Sequence, residues 1–133
     1  MKRDLEHLEQ AALFEWAAWK SKQWGCLKLM FAIPNAQKFI NASEEAKIRA
    51  ISKMKAEGLR PGVPDIFLPV PDRFHNNSYC GLFIEMKVKP NKPTKEQMEW
   101  IDELAAMGYK AVVCYSFEEA KETICDYLGI EGE

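Results

Sequence analysis

The chain has 133 residues, 47% of them hydrophobic and 29% charged, with a formal net charge of −2. That is enough for one domain with a real core, and the balance is that of a soluble globular protein rather than a disordered or fibrous one. No apolar run reaches the roughly 18 residues of a membrane span, and the first residues lack the apolar segment of a secretory signal, so a cytoplasmic protein without a membrane partner is expected.

Residues 4–23 set Leu5, Leu8, Ala12, Trp16 and Trp19 at helical spacing, with Gly25 just beyond, and predict an amphipathic helix. Leu27 to Ile33 predicts a strand closed by Pro34-Asn35. Ser43 can cap a helix running to Glu57, with Glu44 and Glu45 in its first turn and Gly58 as the stop. Ile66-Phe67-Leu68 and Leu82-Phe83-Ile84 are apolar and β-prone, and the turn-rich stretch Pro69 to Cys80 divides them. Thr94-Lys95-Glu96-Gln97 fits a capping box for a helix to Met107, ended by Gly108. Ala111 to Tyr115 predicts a short strand. Ser116-Phe117-Glu118-Glu119 predicts a second capping box, opening a helix to Leu128 with Gly129 beyond. The order α-β-α-β-β-α-β-α over residues 1–133, without repeats or a linker, predicts one α/β domain whose mixed sheet is flanked by helices.

The chemistry concentrates around the two central strands. Asp65, in Gly62-Val63-Pro64-Asp65, precedes the first of them, and Glu85-Met86-Lys87 ends the second. Side chains alternate along a strand, so Glu85 and Lys87 share a face and Met86 points the other way. A hairpin centred on His75 sets Asp65 opposite Glu85, since both lie ten residues from that centre. One register then gathers two acids and an amine. A hard divalent cation needs such an oxygen cluster, and a lysine beside it suits attack on a phosphodiester.

Other classes find less support. Cys26, Cys80, Cys114 and Cys125 form no Cys-x-x-Cys pair, which points to reduced thiols rather than a zinc site or disulfide framework. His7 and His75 stand near no evident nucleophile, as a serine or cysteine hydrolase would require. The glycines are isolated, apart from Gly58 and Gly62, and form no phosphate-cradling loop for a small phosphorylated substrate. Trp16, Trp19, Trp24 and Trp100 lie at helical spacings that suit a core. The net charge argues mildly against nucleic acid, but its distribution does not. Lys47, Arg49, Lys53, Lys55 and Arg60 face one acid, Glu57, and four lysines occupy positions 87–95 with no acid among them. Both basic runs flank the acid pair.

Asp followed by Glu-x-Lys, with ordered companions, resembles the PD-(D/E)XK nuclease superfamily and, within it, the compact stand-alone form of the virus-type replication-repair nuclease (VRR-NUC) family. The companions are Glu6-His7-Leu8-Glu9-Gln10, Phe31-Ala32-Ile33-Pro34-Asn35, Lys55-Ala56-Glu57-Gly58, Gln97 with Trp100, and Gly108-Tyr109; Ala36 stands where glycine would be expected. The resemblance implies a restriction-endonuclease-like core with a four-stranded sheet, and a homodimer that cuts branched DNA such as four-way (Holliday) junctions. It implies that Asp65, Glu85, the Met86 carbonyl and a glutamate of the first helix hold one or two Mg²⁺ or Mn²⁺ ions. Glu6 is the expected helix ligand and Glu9 its rival. Lys87 and Gln97 are expected beside the scissile phosphate, although the capping box alone would also account for Gln97. Asn35, Lys38, Lys53, Lys55 and Lys89 are expected to grip backbone phosphates without reading bases. A DNA-binding subunit that has lost cutting, or a nuclease of flaps or linear DNA, are the alternatives.

Overall fold

The computed structural model describes residues 2–35, 43–72, 76 and 78–131. Nine elements follow in chain order: helix α1 (Lys2–Lys20), a 3-10 turn (Gly25–Leu29), β1 (Phe31–Ala32), α2 (Glu44–Ala56), β2 (Ile66–Leu68), β3 (Leu82–Met86), α3 (Lys95–Ala106), β4 (Lys110–Cys114) and α4 (Phe117–Leu128). The strands form one mixed sheet in the order β1-β2-β3-β4. β1 and β2 pair antiparallel, as do β2 and β3, whereas β3 and β4 run parallel with α3 as the crossover between them.

The β2–β3 register is Ile66 with Ile84, Phe67 with Phe83 and Leu68 with Leu82. Each pair is symmetric about position 75, as the hairpin reading requires, and the next step of the ladder sets Asp65 against Glu85. Alternation then divides the sheet. Ile66, Leu68, Leu82, Ile84 and Met86 point into the core, where Leu13, Trp16 and Ala17 of α1 and Ala120, Ile124 and Tyr127 of α4 cover them. On the opposite face Phe67 stacks on Phe83 with centroids 4.2 Å apart, and Tyr109 meets Phe83 edge-on at 5.3 Å. Glu85 and Lys87 continue that second face toward α3.

Local chemistry explains most boundaries. Ser43 accepts from Ala46 N at the start of α2, and Thr94 and Gln97 complete a reciprocal capping box on α3. Ser116 caps α4 by accepting from Glu119 N, but the Glu119 carboxylate accepts from Tyr115 N rather than closing a box onto Ser116. Two further expectations need correction. The strand expected over Leu27 to Ile33 is a 3-10 turn followed by a two-residue edge strand. The buried stripe of α1 is Leu13, Trp16, Ala17 and Lys20, while Leu5, Leu8 and Trp19 are exposed.

The C-terminal helix is also pinned by a polar contact, Tyr127 Oη donating to Val70 O at 2.7 Å from a ring only 2% exposed. Tyr127→Phe leaves that carbonyl unpartnered, and should lower stability by about 1–3 kcal/mol in chemical denaturation. The four cysteines are free thiols. Among the described residues, no helix is long and apolar enough to cross a membrane.

Candidate active site

Three elements bring the acids together. The Asp65 main chain is fixed at the end of β1, where its carbonyl accepts from Ile33 N at 2.7 Å. Its carboxylate turns to β3 and accepts from Met86 N through Oδ2 at 2.8 Å. Glu85, 2% exposed, lies beside it, with Lys87 Nζ 3.8 Å from its Oε2. The same Glu85 oxygen accepts from Gln97 Nε2 at 3.2 Å, while Gln97 Oε1 accepts from Thr94 N at 2.8 Å. The amide has two ends, so Gln97 caps α3 and holds the acid at once.

The two glutamates of the first helix part company. Glu6 lines the same cleft as Asp65, Glu85, Lys87 and Gln97, and its Oε2 accepts from Asn91 Nδ2 at 3.3 Å. Glu9 points elsewhere: its Oε1 accepts from Phe117 N at 2.7 Å, where the start of α4 offers an unpaired donor. Asn91 escaped the sequence reading. It follows β3 by five residues, and only the docking of α1 reveals its contact with Glu6.

The cleft encloses about 360 Å³, and Asn35, Lys55 and Arg60 also line it. Lys53, two residues before Lys55, is exposed on α2 and does not line the cleft. Lys89 lies over the Tyr115 ring, 5.6 Å from its centroid, and is likewise outside the cleft lining. Lys38 and Ala36 fall outside the described residues. Met86 sits between Glu85 and Lys87 at the end of β3, its side chain buried in the core as alternation requires.

Electrostatics in this cleft are unusual for two acids. Burial, and then the adjacent Asp65, push the Glu85 carboxyl from 4.5 up to about 9, against the opposing pull of Lys87. Burial also raises Asp65, in part offset by the Met86 N–H, by Glu85 and by Lys87. Two neighbouring carboxylates in a poorly solvated place resist carrying two charges, so the pair retains a proton. Glu85 Oε1 is buried without a hydrogen-bond partner. An orphaned oxygen on an acid beside a second acid fits a hard cation, which would replace the shared proton. Among the described residues no three acidic, histidine or cysteine side chains form a ready-made cation cage. A cation here would meet two close carboxylates, with Glu6 lining the same cleft but outside any three-acid cluster.

A mixed sheet flanked by helices, with an acid pair and a lysine at the end of a central strand, defines an α/β protein of the nuclease-like class. The chain belongs to the VRR-NUC family: the VRR-NUC domain matches residues 5–118. Among solved structures, one described as a VRR_NUC domain protein is similar in fold, with a TM-score of 0.73 and 23% identity over 96% of this chain and 93% of its own. No curated protein matches the chain significantly. Membership implies a nuclease domain that binds DNA.

Proposed function

We propose that the protein is a metal-dependent, structure-selective DNA endonuclease that hydrolyses phosphodiester bonds in branched DNA such as four-way junctions. The observation carrying this reading is the buried Glu85 beside the half-buried Asp65, with Lys87 Nζ 3.8 Å from Glu85, placed in a cleft of a VRR-NUC domain. Asp65 and Glu85, aided by the Met86 carbonyl and Glu6, would hold Mg²⁺ or Mn²⁺. When bound, the ion would make water more acidic and neutralise charge on the phosphate. Lys87 donates toward the phosphate oxygens, where negative charge grows during attack. Gln97 keeps Glu85 in one orientation, and Asn91 does the same for Glu6. Lys55 and Arg60 contribute positive charge for the DNA backbone at the cleft wall. The exposed Leu5, Leu8 and Trp19 of α1 support a homodimer, whose two active sites would match the two equivalent strands of a symmetric junction.

The test is cleavage of a labelled four-way junction beside matched linear duplex and flap DNA, with Mg²⁺, Mn²⁺ or EDTA. Paired metal-dependent cuts near the branch are expected. Cuts confined to flaps or linear duplex would replace the substrate, and no cut with either metal would favour a DNA-binding subunit. A separate expectation concerns the basic residues. Lys55→Glu should weaken DNA binding and reduce the slope of log K against log salt by about 1, whereas Lys53→Glu should do less. Binding titrations at several salt concentrations measure both, and equal effects would remove the cleft from the DNA path.

A further inference from the structure

A second pocket opens beside the cleft, and the chemistry above does not use it. It encloses about 470 Å³, with Ile33, Met54, Val63 and Trp100 as apolar walls and Glu57 and Arg60 as charged ones. That volume lies within the roughly 300–1,000 Å³ of small-ligand sites. Pro34, Leu59, Arg60 and Val63 border both the pocket and the cleft, so the two are adjacent, with Arg60 on the shared wall.

The wall is held firmly. Trp100 Nε1 donates to Pro61 O at 2.9 Å, which fixes the indole on the loop that carries Arg60. Gly62, at φ +91, brings that loop so close to α3 that an added Cβ would lie 2.9 Å from the Glu96 carbonyl carbon and 3.0 Å from Trp100 Cδ1. An aromatic surface is therefore oriented in advance, held to the residue after Arg60, in a pocket that shares a wall with the cleft of the acid pair. Binding an aromatic ligand there would cost little further ordering.

A DNA strand presents phosphates and bases in alternation. Lys55, Arg60 and Lys87 suit the phosphates, and an apolar pocket with an indole wall suits a base face. A base paired and stacked within a duplex cannot leave the helix without losing those contacts, so the favoured occupant is already unpaired. We propose that this pocket receives an unpaired nucleobase adjoining the phosphate that Lys87 would contact, with Trp100 as its stacking surface and Arg60 on its backbone. The proposal rests on the nuclease reading and narrows its branched substrates to those that present an unpaired nucleotide at the cut.

Binding in EDTA tests this without cleavage, using a duplex that carries one unpaired 2-aminopurine and the same duplex with an abasic residue in its place. The expected results are quenching of the 2-aminopurine and about tenfold weaker binding of the abasic duplex, in line with a single base–aromatic stack. Trp100→Ala should erase the difference, and Trp100→Phe should keep most of it. The abasic comparison needs only the wild-type protein, so a poorly folded Trp100→Ala leaves the test intact. Firm binding of both duplexes with equal affinity overturns the base pocket and spares the nuclease reading. Binding to neither also overturns the base pocket, while the junction-cleavage assay decides the nuclease reading separately.

Discussion

Replacing Glu85 by glutamine is expected to abolish metal-dependent cleavage, by on the order of 10³-fold or more, in a protein that stays folded. Glutamine keeps the length and planarity of the side chain and can still accept from Gln97 Nε2, which lies 3.2 Å from Glu85 Oε2. What it removes is the negative charge that, with Asp65, would hold a cation. It also removes the cost of ionising a group only 2% exposed, so the variant should be more stable than wild type in EDTA above neutral pH. Single-turnover cleavage and chemical denaturation, run side by side at pH 8, measure the two halves. Retained turnover would place the chemistry outside this acid pair. Lower stability together with lost turnover would mean that the glutamate is structural.

The second large effect is a stability that falls as pH rises in the metal-free protein. An unfolded glutamate releases its proton near 4.5, whereas Glu85 in the folded chain holds its proton to about 9. Below the lower value both states are protonated and the contribution is fully present. Between the two values only the folded state holds the proton, so stability declines with each step up in pH. Each tenfold change in proton affinity is worth about 1.4 kcal/mol, which makes the decline across this window several kcal/mol. Thermal unfolding in EDTA from pH 5 to pH 9 should show this slope in wild type, and a much flatter profile in Glu85→Gln. Adding Mg²⁺ at neutral pH should release about one proton per ion and restore the lost stability. Identical slopes in the two proteins would show that the acids do not share a proton.

Much of this site was legible because it depends on local rules. Alternation along β3 put Glu85 and Lys87 on one face, and the symmetry of the two apolar runs about position 75 set Asp65 opposite Glu85. The cap of α3 was legible in four consecutive residues. Less local features were not. α1 is apolar on more than one side, so spacing alone selected Leu5, Leu8 and Trp19 beside Trp16, whereas docking on α4 and the sheet buries Leu13 and Ala17 instead. The run from Leu27 was short enough to be strand or helix, and it closed into a 3-10 turn before the edge strand began. Asn91 meets Glu6 from a loop whose path depends on tertiary contacts, and no spacing rule marks it.

Gln97 imposes a substitution rule that neither the helix nor the cleft would set alone. The cap of α3 needs an oxygen that accepts from Thr94 N, and Glu85 needs an N–H that donates. Glutamate keeps the first and loses the second. Lysine and arginine keep a donor and lose the acceptor. Asparagine has both groups but is one methylene too short to span them. The position is thereby restricted to a side chain with both kinds of group at its far end, whereas the cap of α3 alone would also accept glutamate.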